Sequence, residues 1–225
     1  MIEFENILDN MHENTHTIHA IVSPLASNDM ANVLLSLNQA PILAEYHNEV
    51  YEVTQNSHAL LINLGTINES KLRGIKEALK SAKENNIPII LDPVGASATK
   101  IRLETCLYYL KNYPINVLKG KYSEIYSIYH KKLSTRGVDS KSIEKEEIIN
   151  ICKDLSTMYN TIVVASGKED IVSDGNEVLI LKNGSPLLPK LTGTGCILGG
   201  IIAAAYSFDK SLNAIALAIS CLLYT

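Results

Sequence analysis

The segment KLTGTGCILGGIIAAA, at positions 190–205, carries the residues with the clearest potential for chemistry. Gly193 and Gly195 precede Cys196 and an almost wholly apolar run, which predicts a glycine-rich turn entering a buried helix. The first backbone N–H groups of a helix, together with its dipole, form an anion site. This suits a phosphotransferase, which stabilises charge on the transferred phosphoryl group. The segment matches neither the P-loop pattern nor GxGxxG, so a glycine turn that only caps the helix stays an alternative.

Polar or glycine residues also follow four short apolar runs that are typical of buried strands. They are Gly65 and Thr66, Asp92 and Pro93, Lys119 and Gly120, and Ser166 and Gly167. Ligands of parallel α/β sheets bind beyond the carboxyl ends of the strands, so we expect these residues to converge on one site.

The side chains at these positions indicate a site for magnesium and phosphate. Asp92 could hold Mg²⁺ through water, which this ion prefers to keep, and Glu124 could support the water shell. Lys119 could neutralise a phosphate, and Ser166 and Gly167 could contact the phosphates of a nucleotide. Each position alone has a simpler interpretation: an Asp-Pro turn, a solvated helix start, or the lead-in to a hairpin.

The segment HENTH, His12–His16, matches the HExxH pattern of zinc metalloproteases, in which Glu13 would be the base. That chemistry requires both histidines on one face of a helix. Asn14 and Thr15 are poor helix formers, and the residues that follow favour a strand. A surface lead-in to the first strand is therefore the favoured interpretation, and a zinc hydrolase with His19 as third ligand is the minor alternative.

Strand and helix patterns alternate along the chain. They predict one α/β domain over residues 1–225, with a mostly parallel central sheet and helices on both faces. Ser27 is predicted to cap an early helix, and a hairpin is expected to turn at Asp174 and Gly175. Strand patterns cover 59–65, 87–93, 115–120 and 161–167, and helix patterns cover 27–38, 68–86, 102–112, 141–160, 196–208 and 212–224.

The composition excludes several classes of protein. Among 225 residues, 46% are hydrophobic and 20% charged, the net charge is −4, and no long basic run supports nucleic-acid binding. The apolar stretches 196–208 and 212–224 are each too short to span a bilayer, so no membrane partner is expected. Four dispersed cysteines without a CxxC pair favour free thiols in a reducing cytoplasm.

Several segments, in their order along the chain, resemble the hydroxyethylthiazole kinase family of the ribokinase-like superfamily. They are LLINLGT, LDPVGASATKIRLE, LKGKYSEI, VVASGKEDIVSDG and NGSPLLPKLTGTGCILGGIIAA, with a looser match in NDMANVLLSLNQAPIL. The resemblance implies a ribokinase-like fold and transfer of the γ-phosphate of ATP to 4-methyl-5-(2-hydroxyethyl)thiazole, with Mg²⁺. It also implies a homotrimer with active sites between subunits.

The resemblance also implies roles for individual residues. Cys196 stands where most ribokinase relatives have a catalytic Asp, and Gly193 and Gly195 would form the anion hole beside it. We expect the helix N-terminus to lower the pKa of the Cys196 thiol. Asp92 and Glu124 match the acidic positions near the metal. The ATP-binding positions would be Lys119, Ser166, Gly167 and Thr194, and the substrate-binding positions Ser23, Leu43, Gly65 and Thr66.

The chain departs from the family pattern more at the alcohol end than at the phosphate end. Lys119 stands for the usual Arg, which keeps the charge and loses the bidentate fork, and Lys121 stands for an Asn. At the alcohol end Ser23 replaces an Asn, Leu43 replaces a Met, and a Gly-Ala pair is replaced by Asn38 and Gln39.

These departures leave alternatives open for the function. They are another ribokinase-like small-molecule kinase, an ATP-dependent hydrate dehydratase, and a non-catalytic ligand-binding homologue. The chain also stops short of the family's usual length, so we expect it to lack C-terminal helices.

Overall fold

The computed structural model describes residues 4–134, 143–182, 184–185 and 187–223. Their strands are β1 (Thr17–Ile21), β2 (Ala40–Ile42), β3 (Ala59–Asn63), β4 (Ile89–Asp92), β5 (Ile115–Lys121), β6 (Ile162–Ser166), β7 (Asp170–Ser173) and β8 (Val178–Leu181). They form one sheet in the order β2-β1-β3-β4-β5-β6-β7-β8. Strands β1 to β6 are parallel, and β7 and β8 add an antiparallel edge. The predicted mostly parallel α/β sheet is confirmed.

The helices are α1 (Glu5–Glu13), α2 (Pro24–Ser36), α3 (Val50–Gln55), α4 (Glu69–Asn85), α5 (Lys100–Asn112), α6 (Tyr122–His130), α7 (Lys145–Tyr159), α8 (Thr194–Phe208) and α9 (Leu212–Leu223). Positions 141–142 and 224 of two predicted helices lie outside the described residues, as do positions 183 and 186 of the segments that carry the resemblance. No helix in the described ranges combines the length and the apolar character that crossing a bilayer requires.

Two apolar clusters cover the two faces of the sheet, because successive residues of a strand point to opposite sides. Along β3, Leu60 and Ile62 belong to the cluster that contains the buried residues of α4 to α7. Ala59 and Leu61 belong to the cluster that contains those of α1, α2, α8 and α9. The helices therefore lie on both faces, as predicted.

The strands β1 and β3 are parallel neighbours, and the chain continues from β1 towards one edge of the sheet and from β3 towards the other. After β1 the chain enters α2, whose Met30 packs in the cluster of α8. After β3 it enters α4, whose Ile75 packs in the cluster on the other face. Two helices that diverge from adjacent parallel strands leave a crevice at the strand ends, which is where ligands bind in such sheets.

The start of α2 differs from the prediction, because Ser23 caps the helix and Ser27 does not. The Ser23 hydroxyl accepts the backbone N–H of Leu25 at 3.4 Å, and Pro24 is the first helical residue. Proline favours that position, since its fixed φ suits a helix and its missing N–H would have no partner there. Ser27 instead donates from its hydroxyl to the Pro24 carbonyl at 3.1 Å.

The predicted hairpin is confirmed, with β7 and β8 paired antiparallel around Asp174 and Gly175. Gly175 has φ +96°, in the left-handed region that glycine enters without strain. The Asp174 carboxylate accepts the N–H groups of Asn176 and Glu177, each at 2.8 Å. Side-chain bonds of this kind are what make Asp a turn former.

Gly74 of α4 lets the loop after β2 pass directly against the helix, since a Cβ there would overlap the carbonyl oxygen of Glu45. We expect Gly74→Ala to lower the free energy of unfolding by about 1–3 kcal/mol, because the backbone of that loop must move. Urea unfolding measures the change. Lys76→Ala, at an exposed position of the same helix, is the control and should change stability by less than ~0.5 kcal/mol. Equal free energies of unfolding for Gly74→Ala and Lys76→Ala would contradict the close approach of this loop to α4.

Candidate active site

Asp92, the last residue of β4, is the buried centre of the polar residues at the strand ends, with 1% of its surface exposed. Its Oδ2 accepts a hydrogen bond from Asn63 Nδ2 at 2.9 Å and an ion-pair contact from Lys119 Nζ at 3.3 Å. Its Oδ1 is also buried, and none of the described residues donates a hydrogen bond to it. The neighbouring strands β3, β4 and β5 thus bring these three side chains together, as the sheet order requires.

The charge states of Asp92 and Lys119 depend on their burial and on the attraction between them. Burial raises the pKa of Asp92 to about 6, and the attraction of Lys119 offsets only part of that effect. Burial lowers the pKa of Lys119, but Asp92 and Glu124 outweigh it and the net pKa of Lys119 is raised. At neutral pH the structure therefore holds a buried carboxylate beside a buried ammonium.

The TGTGC segment meets this pair through the first turn of α8. Gly193 has φ +94° and precedes the helix, and its carbonyl accepts the N–H of Ile197 at 2.9 Å. The N–H groups of the three residues between them belong to the first turn, where a helix offers them no partner of its own. Lys119 Nζ donates to the Gly195 carbonyl at 2.8 Å. A positive helix end and a buried ammonium therefore adjoin one another, which is the expected anion site.

Cys196 also belongs to this group of residues, but its thiol differs from the prediction. Asn63 Nδ2 lies 3.2 Å from Cys196 Sγ, so Asn63 links the thiol to Asp92. Burial raises the pKa of Cys196, and the nearby Asp92 carboxylate raises it further. Lys119 and the Asn63 hydrogen bond act in the lowering direction and are outweighed. The expectation that the helix start lowers this pKa is wrong, because it left out the burial and the carboxylate.

Glu124 lies in the first turn of α6 and uses both carboxylate oxygens for backbone N–H groups. Oε1 accepts from Gly95 at 2.8 Å and Oε2 from Lys121 at 2.7 Å. These bonds join the turn after β4 to the start of α6. Glu124 is also close enough to Asp92 to raise the pKa of that carboxyl.

Three of the predicted ATP-binding residues lie beside β6 and α8, and their polar groups have partners within the chain. Ser166 donates to the Gly120 carbonyl at 3.2 Å, and the Gly167 N–H donates to Asp170 at 3.1 Å. The Thr194 hydroxyl donates to the carbonyls of Leu188 at 3.3 Å and Leu191 at 3.4 Å. These bonds shape the edge of the site on the β6 side.

The predicted substrate-binding residues lie on the other side of Asp92, around the crevice between β1 and β3. A Cβ on Gly65 would lie 3.4 Å from the Ser23 side chain, so the two positions are adjacent. Thr66 follows Gly65 and is exposed, and Leu43 follows the edge strand β2 with 40% of its surface exposed. The site therefore extends along the sheet edge from Leu43 to Ser166.

Two residues that the sequence analysis did not single out organise this edge. Asn63 bonds Asp92 and Cys196, and its Oδ1 accepts the N–H of Gly65 at 2.8 Å. Arg102 of α5 donates to the Gly65 carbonyl at 2.6 Å and to the Val94 carbonyl at 3.2 Å. Asn63 could have been noticed as the one polar residue inside the apolar run ALLINLG.

Comparison with known proteins indicates a phosphotransferase, as does the anion site at the start of α8. The model of the hydroxyethylthiazole kinase family matches residues 8–225. The chain belongs to the hydroxyethylthiazole kinase family. The prediction of this family from its motifs, and with it the prediction of a kinase, is confirmed.

Relatives within the hydroxyethylthiazole kinase family are similar over most of the chain. The Finegoldia magna hydroxyethylthiazole kinase is 44% identical over 93% of this chain and 78% of its own length. The Archaeoglobus fulgidus enzyme of the same name is 36% identical over 92% of this chain and 76% of its own length.

Solved structures agree with the ribokinase-like fold. The hydroxyethylthiazole kinase protein of Pyrococcus horikoshii superposes with a TM-score of 0.88 at 32% identity, over 97% of this chain and 82% of that one. The pyridoxal kinase of Bacillus subtilis, with a TM-score of 0.68 and 15% identity over 91% of this chain and 88% of that one, shares the fold.

The zinc-hydrolase alternative is wrong for this member of the family. His12 lies in the last turn of α1, which ends at Glu13, and His16 lies beyond the helix. The His16 ring is stacked between those of His58 and Phe208, with centroid distances of 4.0 and 3.7 Å. Within the described residues no group of three or more His, Cys, Asp or Glu side chains could hold a metal ion. Because α1 ends before His16, His12 and His16 do not lie on one face of a helix as the zinc pattern requires.

The raised pKa of Asp92 makes a prediction about pH. The carboxyl ionises near pH 3.8 in the unfolded chain but near pH 6 in the folded one, so its contribution to stability falls as the pH rises through that window. Asn does not titrate. We therefore expect the stability of Asp92→Asn relative to the wild type to increase by about 2 kcal/mol between pH 4 and pH 7.

Urea unfolding of both proteins at the two pH values measures this difference. Asp9→Asn, at an exposed position of α1, is the matched control and should not show it. A stability difference between Asp92→Asn and the wild type that is equal at both pH values would contradict the raised pKa.

Proposed function

We propose that this protein transfers the γ-phosphate of ATP to the hydroxyl of 4-methyl-5-(2-hydroxyethyl)thiazole. The observation that carries the proposal is the buried Asp92–Lys119 pair beside the first turn of α8. It puts a carboxylate, an ammonium and a helix N-terminus within one small volume, which is what charge stabilisation in phosphoryl transfer needs. The name of the family indicates the alcohol, and the relatives of this chain that are named hydroxyethylthiazole kinase support that choice.

Within this proposal ATP lies along the β5 and β6 ends, and the alcohol lies in the crevice between β1 and β3. Lys119 and the N–H groups at the start of α8 face the transferred phosphoryl group and stabilise its charge. Asn63 holds Cys196 and Asp92 on the alcohol side. Ser23 and Gly65 line the crevice that would receive the alcohol.

Magnesium fits the residues at this site. The buried Asp92 Oδ1 has no donor among the described residues, and a carboxylate oxygen of this kind accepts a bond from metal-bound water. Asp92 would hold the ion, with Glu124 nearby. When bound, magnesium neutralises charge on the phosphates of ATP.

Cys196 orients the attacking hydroxyl in this proposal and carries less of the catalysis than the anion hole. Its raised pKa keeps the thiol protonated at neutral pH, so little thiolate is present to accept a proton. The transition state of phosphoryl transfer is loose, and proton removal contributes little to reaching it. The charge of the transferred group, by contrast, has to be stabilised at every turnover.

This ranking predicts different effects for two neighbouring substitutions. Cys196→Ala is expected to retain turnover within about 100-fold of the wild type, since a group that only orients the hydroxyl contributes less than the ~100-fold or more that is typical of a positioned proton-transfer group. Gly195→Val is expected to lower kcat/KM for ATP by more than ~100-fold, as for loss of an oxyanion donor. A Cβ at Gly195 would lie 3.3 Å from Lys119 Nζ, so the larger side chain of valine would displace the ammonium or the phosphate.

Steady-state kinetics with thermal unfolding on the same samples test both variants. Wild-type turnover from a folded Gly195→Val protein would exclude the anion-hole role. Loss of all turnover in Cys196→Ala alone would reverse the ranking.

The function itself is tested by ADP release from ATP with and without Mg²⁺, against a panel of alcohols. We expect turnover with the thiazole alcohol that exceeds turnover with a hydroxymethylpyrimidine, pyridoxal or a sugar, and we expect EDTA to abolish it. Good turnover with another alcohol and none with the thiazole would point to a different small-molecule kinase. Binding of the thiazole without ADP release would point to a ligand-binding protein.

The proposal includes a homotrimer in the cytoplasm and a single kinase domain over residues 1–225. Exposed apolar side chains support an assembly: Leu25 and Leu35 of α2 are 74% and 60% exposed, and Ile42 and Leu43 at the edge strand are each 40% exposed. Four free cysteines support a reducing compartment. A single sheet shared by both clusters supports one domain.

A further inference from the structure

A buried lysine bridges the crevice at the alcohol end of the site. Lys71 belongs to the first turn of α4, and its backbone N–H donates to the helix cap Asn68 at 2.8 Å. Only 2% of its surface is exposed, which is rare for a lysine. Its Nζ donates to the Val22 carbonyl at 2.7 Å, immediately after β1. The side chain thus reaches from the helix that follows β3 to the end of β1, across the switch point of the sheet.

The hydrogen bonding of this ammonium is incomplete. An ammonium has three N–H donors, and the described residues supply one acceptor, the Val22 carbonyl. No carboxylate of the described residues lies within 4.0 Å of it, although Glu45 is near enough to favour its charged form. Burial lowers the pKa of Lys71, with Glu45 and Cys196 acting against that effect. A buried charge with unused donors is costly unless a ligand completes its partners.

The neighbours of Lys71 place those unused donors beside the proposed alcohol. Val22 precedes Ser23, which adjoins Gly65, and Cys196 lies within electrostatic range of the ammonium. The Ser23 hydroxyl is already the acceptor for the N-cap bond of α2. The Ser23 hydroxyl keeps one O–H donor, whereas the Lys71 ammonium keeps two N–H donors and carries a positive charge at this end of the crevice.

We propose that Lys71 determines acceptor specificity, with its ammonium donating a hydrogen bond to an electron-rich heteroatom of the alcohol substrate. This inference rests on the proposed function, since it concerns the pocket of the same alcohol. The substrate class it defines is a neutral or anionic heteroaromatic alcohol. A cationic ring, such as a thiazolium alkylated on nitrogen, is rejected because it has lost the acceptor lone pair and repels the ammonium.

The first test compares two substrates with the wild type and with Lys71→Met, which keeps the length of the side chain without its charge. The substrates are the thiazole alcohol and its N-methylthiazolium derivative. We expect the wild type to favour the neutral ring, and Lys71→Met to reduce the ratio of the two kcat/KM values at least 10-fold. KM for the neutral alcohol should rise at least 10-fold, and KM for ATP should stay within twofold.

Controls separate specificity from a structural role. Lys76→Met, at an exposed position of the same helix, should leave all these quantities unchanged. Thermal unfolding should show Lys71→Met to be at least as stable as the wild type, because an isolated buried charge has been removed. If Lys71→Met does not fold, Lys71→Gln, which keeps a donor for the Val22 carbonyl, replaces it in the same measurements.

The outcomes distinguish this inference from the proposed function. An unchanged ratio of the kcat/KM values for the neutral and cationic alcohols would overturn the role of Lys71 and leave the kinase activity intact. Equal rises in KM for the alcohol and for ATP, together with a lowered melting temperature, would do the same. If the wild type phosphorylates another heteroaromatic alcohol of the panel, the same pair of variants is tested on that alcohol and its N-methyl derivative. If it phosphorylates none, calorimetry of thiazole binding to the wild type and Lys71→Met decides, with equal affinities overturning the inference.

Discussion

A carboxylate that is ionised although it is buried is the constraint on which this structure depends. Asp92 is buried at the end of β4, and an unpaired charge there would cost several kcal/mol. Asn63 from β3 and Lys119 from β5 are its partners, and the Gly195 carbonyl of α8 takes a further bond from Lys119. The same few polar contacts that form the site therefore join three neighbouring strands and one helix.

Close packing brings α8 to the depth at which its first turn can take part. A Cβ on Gly199 would lie 3.2 Å from Leu61 of β3, and one on Gly200 would lie 2.8 Å from Met30 of α2. A larger residue at Gly199 would hold the helix farther from the sheet, and one at Gly200 would hold it farther from α2. The glycines of the apolar run thus act together with those of the turn before it, since close approach to the sheet lets the helix start meet Lys119.

Sequence patterns predicted the helices and strands whose apolar residues recur at a regular spacing or form a continuous run with a clear end. The runs that became β3 to β6 were found, and their polar ends do converge, because parallel strands in one sheet end at one edge. The short α1, β2 and α3 were not predicted, since the two helices span too few turns and β2 too few residues to show a clear apolar pattern. The cap of α2 was assigned to Ser27 because a serine before an apolar helix pattern is typical of a cap, whereas Pro24 at the first position decides it.

The sequence by itself determined the fold class, the family and the set of residues at the strand ends, because these depend on local composition and on the order of motifs. Only the tertiary structure decided what those residues do to one another. The pKa of Cys196, the bonds of Asn63 and the burial of Lys71 all depend on groups far away along the chain. Burial and pairing are properties of the three-dimensional neighbourhood, and a sequence pattern contains neither.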